Sequence, residues 1–209
     1  MKYINASLAG LALVACAAQA GATELVVNGG FESNTVLSGT FDTFYNATQG
    51  LTGWNIDFNS VDLVSSNYWD PAAGVNSLDL NGAKKSGISQ ILNTVAGQTY
   101  NLSFDLAGNF EGSPVIKKMS INIGPHGLYS FDTTGKSKHN MGWEHYTTTF
   151  VAQSSSTALS FVSNVPGAYG SALDNISVTA VPEPETYAML LAGLGVMGAI
   201  ARRRNNKAA

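Results

Sequence analysis

Cysteine is nearly absent from this chain, and arginine is missing from its central part. Cys16 is the single cysteine and sits in the first apolar stretch. Once that stretch is removed, no disulfide can staple the fold, even in an oxidising compartment. Residues 23–181 hold six lysines, no arginine and twelve acids, a net charge of −6. An acidic surface without guanidinium groups argues against nucleic acid and suits cations or neutral polymers. Histidine is scarce as well: His126, His139 and His145 show no Ser-His-Asp or His-x-x-x-His spacing. His139 and His145 flank Met141-Gly142 and make only a weak metal pair. The Gly-rich Ala107-Gly108-Asn109 lacks the lysine and helix start of a phosphate loop. Twelve acids in a β-domain could supply a carboxylate pair by accident, so catalysis has thin support and the chain reads as non-enzymatic.

Both ends carry addresses. Lys2 precedes an apolar run from Ile4 to Ala18, and Ala18-Gln19-Ala20 offers a small-x-small cleavage site before Gly21. Residues 1–20 therefore read as a secretory signal peptide, a short apolar helix cut between Ala20 and Gly21. Leu13-Val14-Ala15-Cys16 also matches a lipoprotein box. The ordinary cut is favoured because the other end already supplies a membrane address. There Pro182, Glu183 and Pro184 are followed by an uncharged run, 186–201, and then by Arg202, Arg203 and Arg204. Two prolines keep the motif extended and readable by an enzyme. Arginines are retained on the cytoplasmic side, which leaves the domain outside. Sixteen residues make about 24 Å of helix against a hydrocarbon core of about 30 Å, so the predicted transmembrane helix suits a transient span. Residues 181–206 resemble the PEP-CTERM sorting signal. That resemblance implies cleavage near the motif by exosortase, a membrane-embedded transpeptidase.

The intervening 159 residues suffice for one domain with a real core. No stretch carries the 3.6-residue period of an amphipathic helix, whereas the two-residue period of half-buried strands recurs. Tyr100, Leu102, Phe104 and Leu106 alternate with Asn101, Ser103 and Asp105. Similar alternation marks 54–58, 61–63, 77–80 and 119–123. Further strands are predicted at 25–31, 86–95, 127–133, 143–151, 157–163 and 172–180. The fold class is all-β, a jelly-roll β-sandwich over residues 23–180.

Asn28-Gly29-Gly30-Phe31-Glu32, Gly53-Trp54, Val61-Asp62-Leu63, Ser77-Leu78-Asp79-Leu80-Asn81-Gly82, Gly87-Ile88-Ser89-Gln90, Phe104-Asp105-Leu106-Ala107-Gly108-Asn109 and Leu173-Asp174-Asn175-Ile176 resemble the choice-of-anchor C family. The resemblance implies an exported galactose-binding-like jelly roll with a leaning toward glycans. The Gly-Phe-Glu opening and closing Asp-Asn strand also resemble carbohydrate-binding jelly rolls whose first and last strands share a structural calcium ion, which implies Glu32 and Asp174 as side-chain ligands. By period two, Asp174 shares a strand face with Ile176 and Val178, and a core-facing charge must be paired or metal-bound. The alternative is a pair of strand-end carboxylates bonded to backbone amides.

Tyr68 and Trp69, in a turn-like stretch before Asp70-Pro71, are the candidate ligand-binding residues, since flat rings suit the CH faces of sugars. Trp54 and Trp143 begin strands and are predicted to be core. The expected protein is exported to the cell envelope, and membrane-held until its tail is processed. It is then released to the cell surface or extracellular matrix, where extracellular polysaccharide is the expected partner. A purely structural matrix protein and a glycan-acting enzyme are the other readings. Exposure of Tyr68 and Trp69 beside a groove favours binding, and their burial favours the structural role.

Overall fold

The computed structural model describes residues 23–124, 127–182 and 184–206. The signal peptide with Ala20 and Gly21, Cys16, His126 and Glu183 lie outside the described residues. Eleven strands precede one helix: β1 (Phe41–Tyr45), β2 (Asn55–Phe58), β3 (Ser60–Ser65), β4 (Asn76–Asp79), β5 (Gly87–Asn93), β6 (Thr99–Gly108), β7 (Ile116–Asn122), β8 (Gly127–Asp132), β9 (Glu144–Val151), β10 (Ser156–Ser163), β11 (Ser171–Ala180) and α1 (Pro184–Asn206). One sheet runs β1-β3-β4-β11-β6-β9 and the other β2-β5-β10-β7-β8, with every pairing antiparallel. The two sheets form the expected jelly-roll sandwich. Among the described residues no helix is long and apolar enough to cross a membrane.

Alternation decides what lies between the sheets. On β6 the apolar residues Tyr100, Leu102, Phe104 and Leu106 are buried, while Asn101, Ser103 and Asp105 face outward and stay partly exposed. The facing sheet contributes Ile56, Ile88, Met119, Ile121, Leu159 and Phe161. Phe104 lies at the centre, stacked on Tyr146 at 5.4 Å and meeting Phe161 edge-on at 5.6 Å. Removing that ring would cost about 3–5 kcal/mol. Trp54 and Trp143 pack as predicted: Trp54 is buried against Phe31 and Phe161, and Trp143 is half-buried against the core.

Two elements depart from the pattern read off the sequence. No strand forms over 25–31. Asn28 and Phe31 adopt left-handed backbone (φ 57° and 61°), which breaks extension, and only an isolated bridge joins Glu24 to Thr179. Strand β1 was not expected, because as an edge strand it buries neither face fully and shows no clean alternation.

Candidate functional site

The outer face of the six-stranded sheet, away from the core, carries the site. Cross-strand register places Thr43, Asp62, Asp79, Ala172 and Ala107 in one row across β1, β3, β4, β11 and β6. Each aspartate sits between core-facing neighbours, Val61 and Leu63 or Leu78 and Leu80, so alternation turns it outward. Above this row opens a pocket of about 370 Å³, within the usual range for ligand sites. Its floor includes Asp62 and Asp79, and its walls include Phe41, Tyr45, Tyr68 and Tyr169.

Each floor group is held in place. Asp62 accepts the Thr43 hydroxyl at 2.7 Å. Asp79 is 1% exposed and accepts three donors, Asn81 N at 2.8 Å, Gly170 N at 3.1 Å and Asn109 Nδ2 at 2.8 Å. Burial pushes the Asp62 carboxyl up to about 6 against the Thr43 hydrogen bond. It pushes Asp79 up to about 7 despite those three donors. Gly170 is needed for this approach, since a Cβ there would lie 2.4 Å from Asn81 Oδ1 and 2.6 Å from Asp79 Oδ1.

The rim combines rings and charge. The Tyr68 hydroxyl donates to Glu111 Oε2, and burial, followed by Glu111, raises its pKa above the ordinary value. Lys138 Nζ lies 4.0 Å from the centre of the Tyr68 ring and 3.9 Å from Glu111 Oε1. Lys117, next to Lys118 in the sequence, is fully buried. Its ammonium donates to Gly112 O at 2.7 Å and Tyr169 O at 2.9 Å, tying both rim loops to β7. Burial lowers its pKa, with Asp79 opposing.

Both predicted ligand-binding residues line the pocket, Tyr68 half-buried and Trp69 only 1% exposed. The Trp69 indole N–H donates to Ser77 Oγ at 2.7 Å, so the ring supports Tyr68 from beneath and cannot stack on a ligand. Asp62, Asp79 and Asn109 went unnamed as site residues, although the apolar-Asp-apolar pattern of β3 and β4 already marked the two aspartates as outward-facing.

Glu32, ahead of β1, and Asp174, on β11, lie elsewhere and reach the loop before β4. Asp174 does not face the core. The register shifts between Asp174 and Ser177, with Asn175 at φ 50°, so Asp174 pairs with outward Asp105 while Val178 pairs with core Leu102. Asp174 Oδ2 accepts Ala72 N and Ala73 N at 2.9 and 3.1 Å, and Oδ1 accepts Asn175 N at 2.7 Å. Glu32 Oε1 accepts Val75 N and Asn76 N, each at 2.9 Å. Calcium needs a shell of oxygens, whereas N–H groups converge on these two carboxylates. Among the described residues no three His, Cys, Asp or Glu side chains are grouped for a metal. As the two carboxylates stand, the pair serves as a loop staple. The histidines also stay apart: His139 meets Asp70 at 3.3 Å and His145 meets Asp105 at 2.7 Å.

Comparison with known proteins adds family and fold relatives. Residues 24–179 match a family described as "Protein of unknown function (DUF642)", and residues 180–205 match the PEP-CTERM protein-sorting motif. Halomucin of Haloquadratum walsbyi is 31% identical over 166 residues, covering 77% of this chain and 2% of that protein. Protein TEEBE of Arabidopsis thaliana is 30% identical over 150 residues, covering 66% of this chain and 39% of its own length. The chain thus spans well under half of either relative. Similar solved structures include TmCBM61 in complex with β-1,4-galactotriose (TM-score 0.49, 12% identity, 76% of this chain and 99% of that one). The CBM22-1 xylan-binding domain of Paenibacillus barcinonensis is another (TM-score 0.49, 14% identity, 78% and 99%).

Proposed function

Because the chain belongs to the DUF642 family and carries a PEP-CTERM protein-sorting motif, we propose that it is an exported, non-catalytic protein of the cell envelope whose outer-face pocket binds polysaccharide. The observation that carries this reading is the pairing of aromatic walls with hydrogen-bonding groups on one floor: Tyr68, Phe41 and Tyr169 around Asp62, Asp79 and Asn109. Flat rings cover the apolar CH face of a sugar, while carboxylate and amide oxygens take its hydroxyls. The same arrangement argues against hydrolysis. A glycosidase sets its two carboxyls on opposite flanks of the scissile bond. Asp62 and Asp79 stand side by side on adjacent strands, and Asp79 is almost wholly covered with three donors on its oxygens.

The tail completes the route. A Pro-Glu-Pro, a marginal apolar run and three arginines suit a membrane-held precursor handed to exosortase and then released to the surface or matrix. The choice-of-anchor C resemblance rests on the domain's own residues and agrees with this route. The test is calorimetry of the full chain against soluble plant and bacterial oligosaccharides, with Tyr68→Ala alongside. We expect at least one glycan to bind and Tyr68→Ala to weaken it about tenfold, some 1.4 kcal/mol. Binding that survives Tyr68→Ala unchanged would place the ligand elsewhere. No binding at all would leave the purely structural role.

A further inference from the structure

Two carboxylates on one pocket floor pose an electrostatic question. Asp62 and Asp79 are direct cross-strand partners, and such pairs hold their Cβ atoms about 4.5–5.5 Å apart. Like charges that close, and partly desolvated, cannot both ionise freely. Glu111 adds a third carboxylate to the same lining. Asn81 Oδ1, wholly buried beside Asp79, finds no hydrogen-bond partner among the described residues.

The positive groups nearby do not settle that floor. Lys117 acts on Asp79 through its charge but donates its hydrogen bonds to Gly112 O and Tyr169 O. Lys138 sits at the rim, and the domain has no arginine. Tyr45, Tyr68 and Tyr169, the other ionisable side chains of the lining, bring no positive charge. Lys138 also shows what this rim selects, since an ammonium group rests over the Tyr68 ring beside Glu111. Cation–π attraction with a flanking carboxylate is how proteins hold amines.

Resting on the sugar-pocket reading, we infer that the preferred occupant is an amino sugar unit with a free, protonated amino group, which sets its ammonium on the partly exposed Asp62, with buried Asp79 behind it. A neutral sugar would leave the two carboxylates to share a proton, and a uronic acid would add to their repulsion. An ammonium group instead lets both ionise, and the proton they had retained passes to solvent. Binding is therefore coupled to proton release. Affinity rises with pH while the aspartates ionise, then falls as the ligand amine loses its own proton.

The test titrates the full chain near pH 6 with three β-1,4-linked tetramers, of glucosamine, of N-acetylglucosamine and of glucose. Each is run in two buffers of different ionisation enthalpy. We expect the glucosamine tetramer to bind about tenfold or more tightly than either neutral one. Its enthalpy alone should depend on the buffer, which reports the released proton. Asp62→Asn should abolish the preference for the amine, so that the variant binds all three tetramers alike, and should abolish proton release. If the acetylated or glucose tetramer binds as well as the amine, the ammonium inference fails and the sugar pocket stands. Amine preference that survives Asp62→Asn also overturns it, assigning the preference to the acidic surface. If no tetramer and no other glycan binds, the sugar reading fails first. Should Asp62→Asn not fold, proton release in the unmodified chain decides alone.

Discussion

Asp62 and Asp79 face each other across the β3–β4 register with both carboxylates on the outer side of the sheet. Their burial gives stability a pH dependence of definite sign. From an ordinary 3.8, Asp62 is pushed up to about 6, and Asp79 and Asp174 to about 7. The native state keeps protons that the unfolded chain has already released. Unfolding free energy therefore falls as pH rises from about 4 to about 7, then levels. Melting temperature across that window checks the sign, and a rise through it would contradict the burial argument. Asp62→Asn keeps an acceptor for the Thr43 hydroxyl and should make the fall shallower.

Lys117 is the second test, because it joins two loops from inside. Lys117→Met retains the aliphatic stem but strands the carbonyls of Gly112 and Tyr169. Partly buried acceptors left without their donor outweigh the relief of not covering an ammonium, so stability should fall by about 1–2 kcal/mol. Hydrogen exchange should quicken in segments 109–113 and 166–170 and stay unchanged in β6. Uniform quickening would mean that Lys117 supports the whole sandwich and not those loops.

For the loop before β4, removal of calcium is the informative measurement. With five amides donating to Glu32 and Asp174, chelator should leave the melting curve of the full chain where it was. Asp174→Asn turns one acceptor into an N–H donor facing other donors, at a cost of about 1–3 kcal/mol. A lower melting temperature on chelation would restore the cation.

The tail makes a prediction about covalent structure. Intact-mass measurement of protein extracted from the cell surface should find a chain that ends near Pro184. Recovery of Arg202 to Arg204 on the exported product would sink the sorting route proposed here.

Much of the sandwich could be read in advance from period two, since strands such as β6 bury every second residue against a second sheet. What failed did so where backbone geometry overrode the pattern. Left-handed Asn28 and Phe31 broke a predicted strand. A bulge at Asn175 reversed the facing of Asp174. The site was half legible. Tyr68 could be picked from its turn, but Trp69 next to it turned inward. The outward aspartates of β3 and β4 were visible one at a time, and only register, which no local pattern encodes, set them side by side. Lys117 carried no signal at all, because its burial depends on two distant loops closing over it.

The bridge between Glu24 and Thr179 has a consequence for how this unit combines with others. Leu25 N donates to Val178 O at 2.9 Å, and the Glu24 carboxylate reaches Ser177 and Val178, so the first and last residues of the sandwich lie side by side. A polypeptide that receives such a unit is interrupted at one point and need not be stretched across it. The unit is a cassette, which suits a segment that makes up 2% of one relative and 39% of another. Tandem copies would hang from a common thread as pendants, each joined to it at one corner.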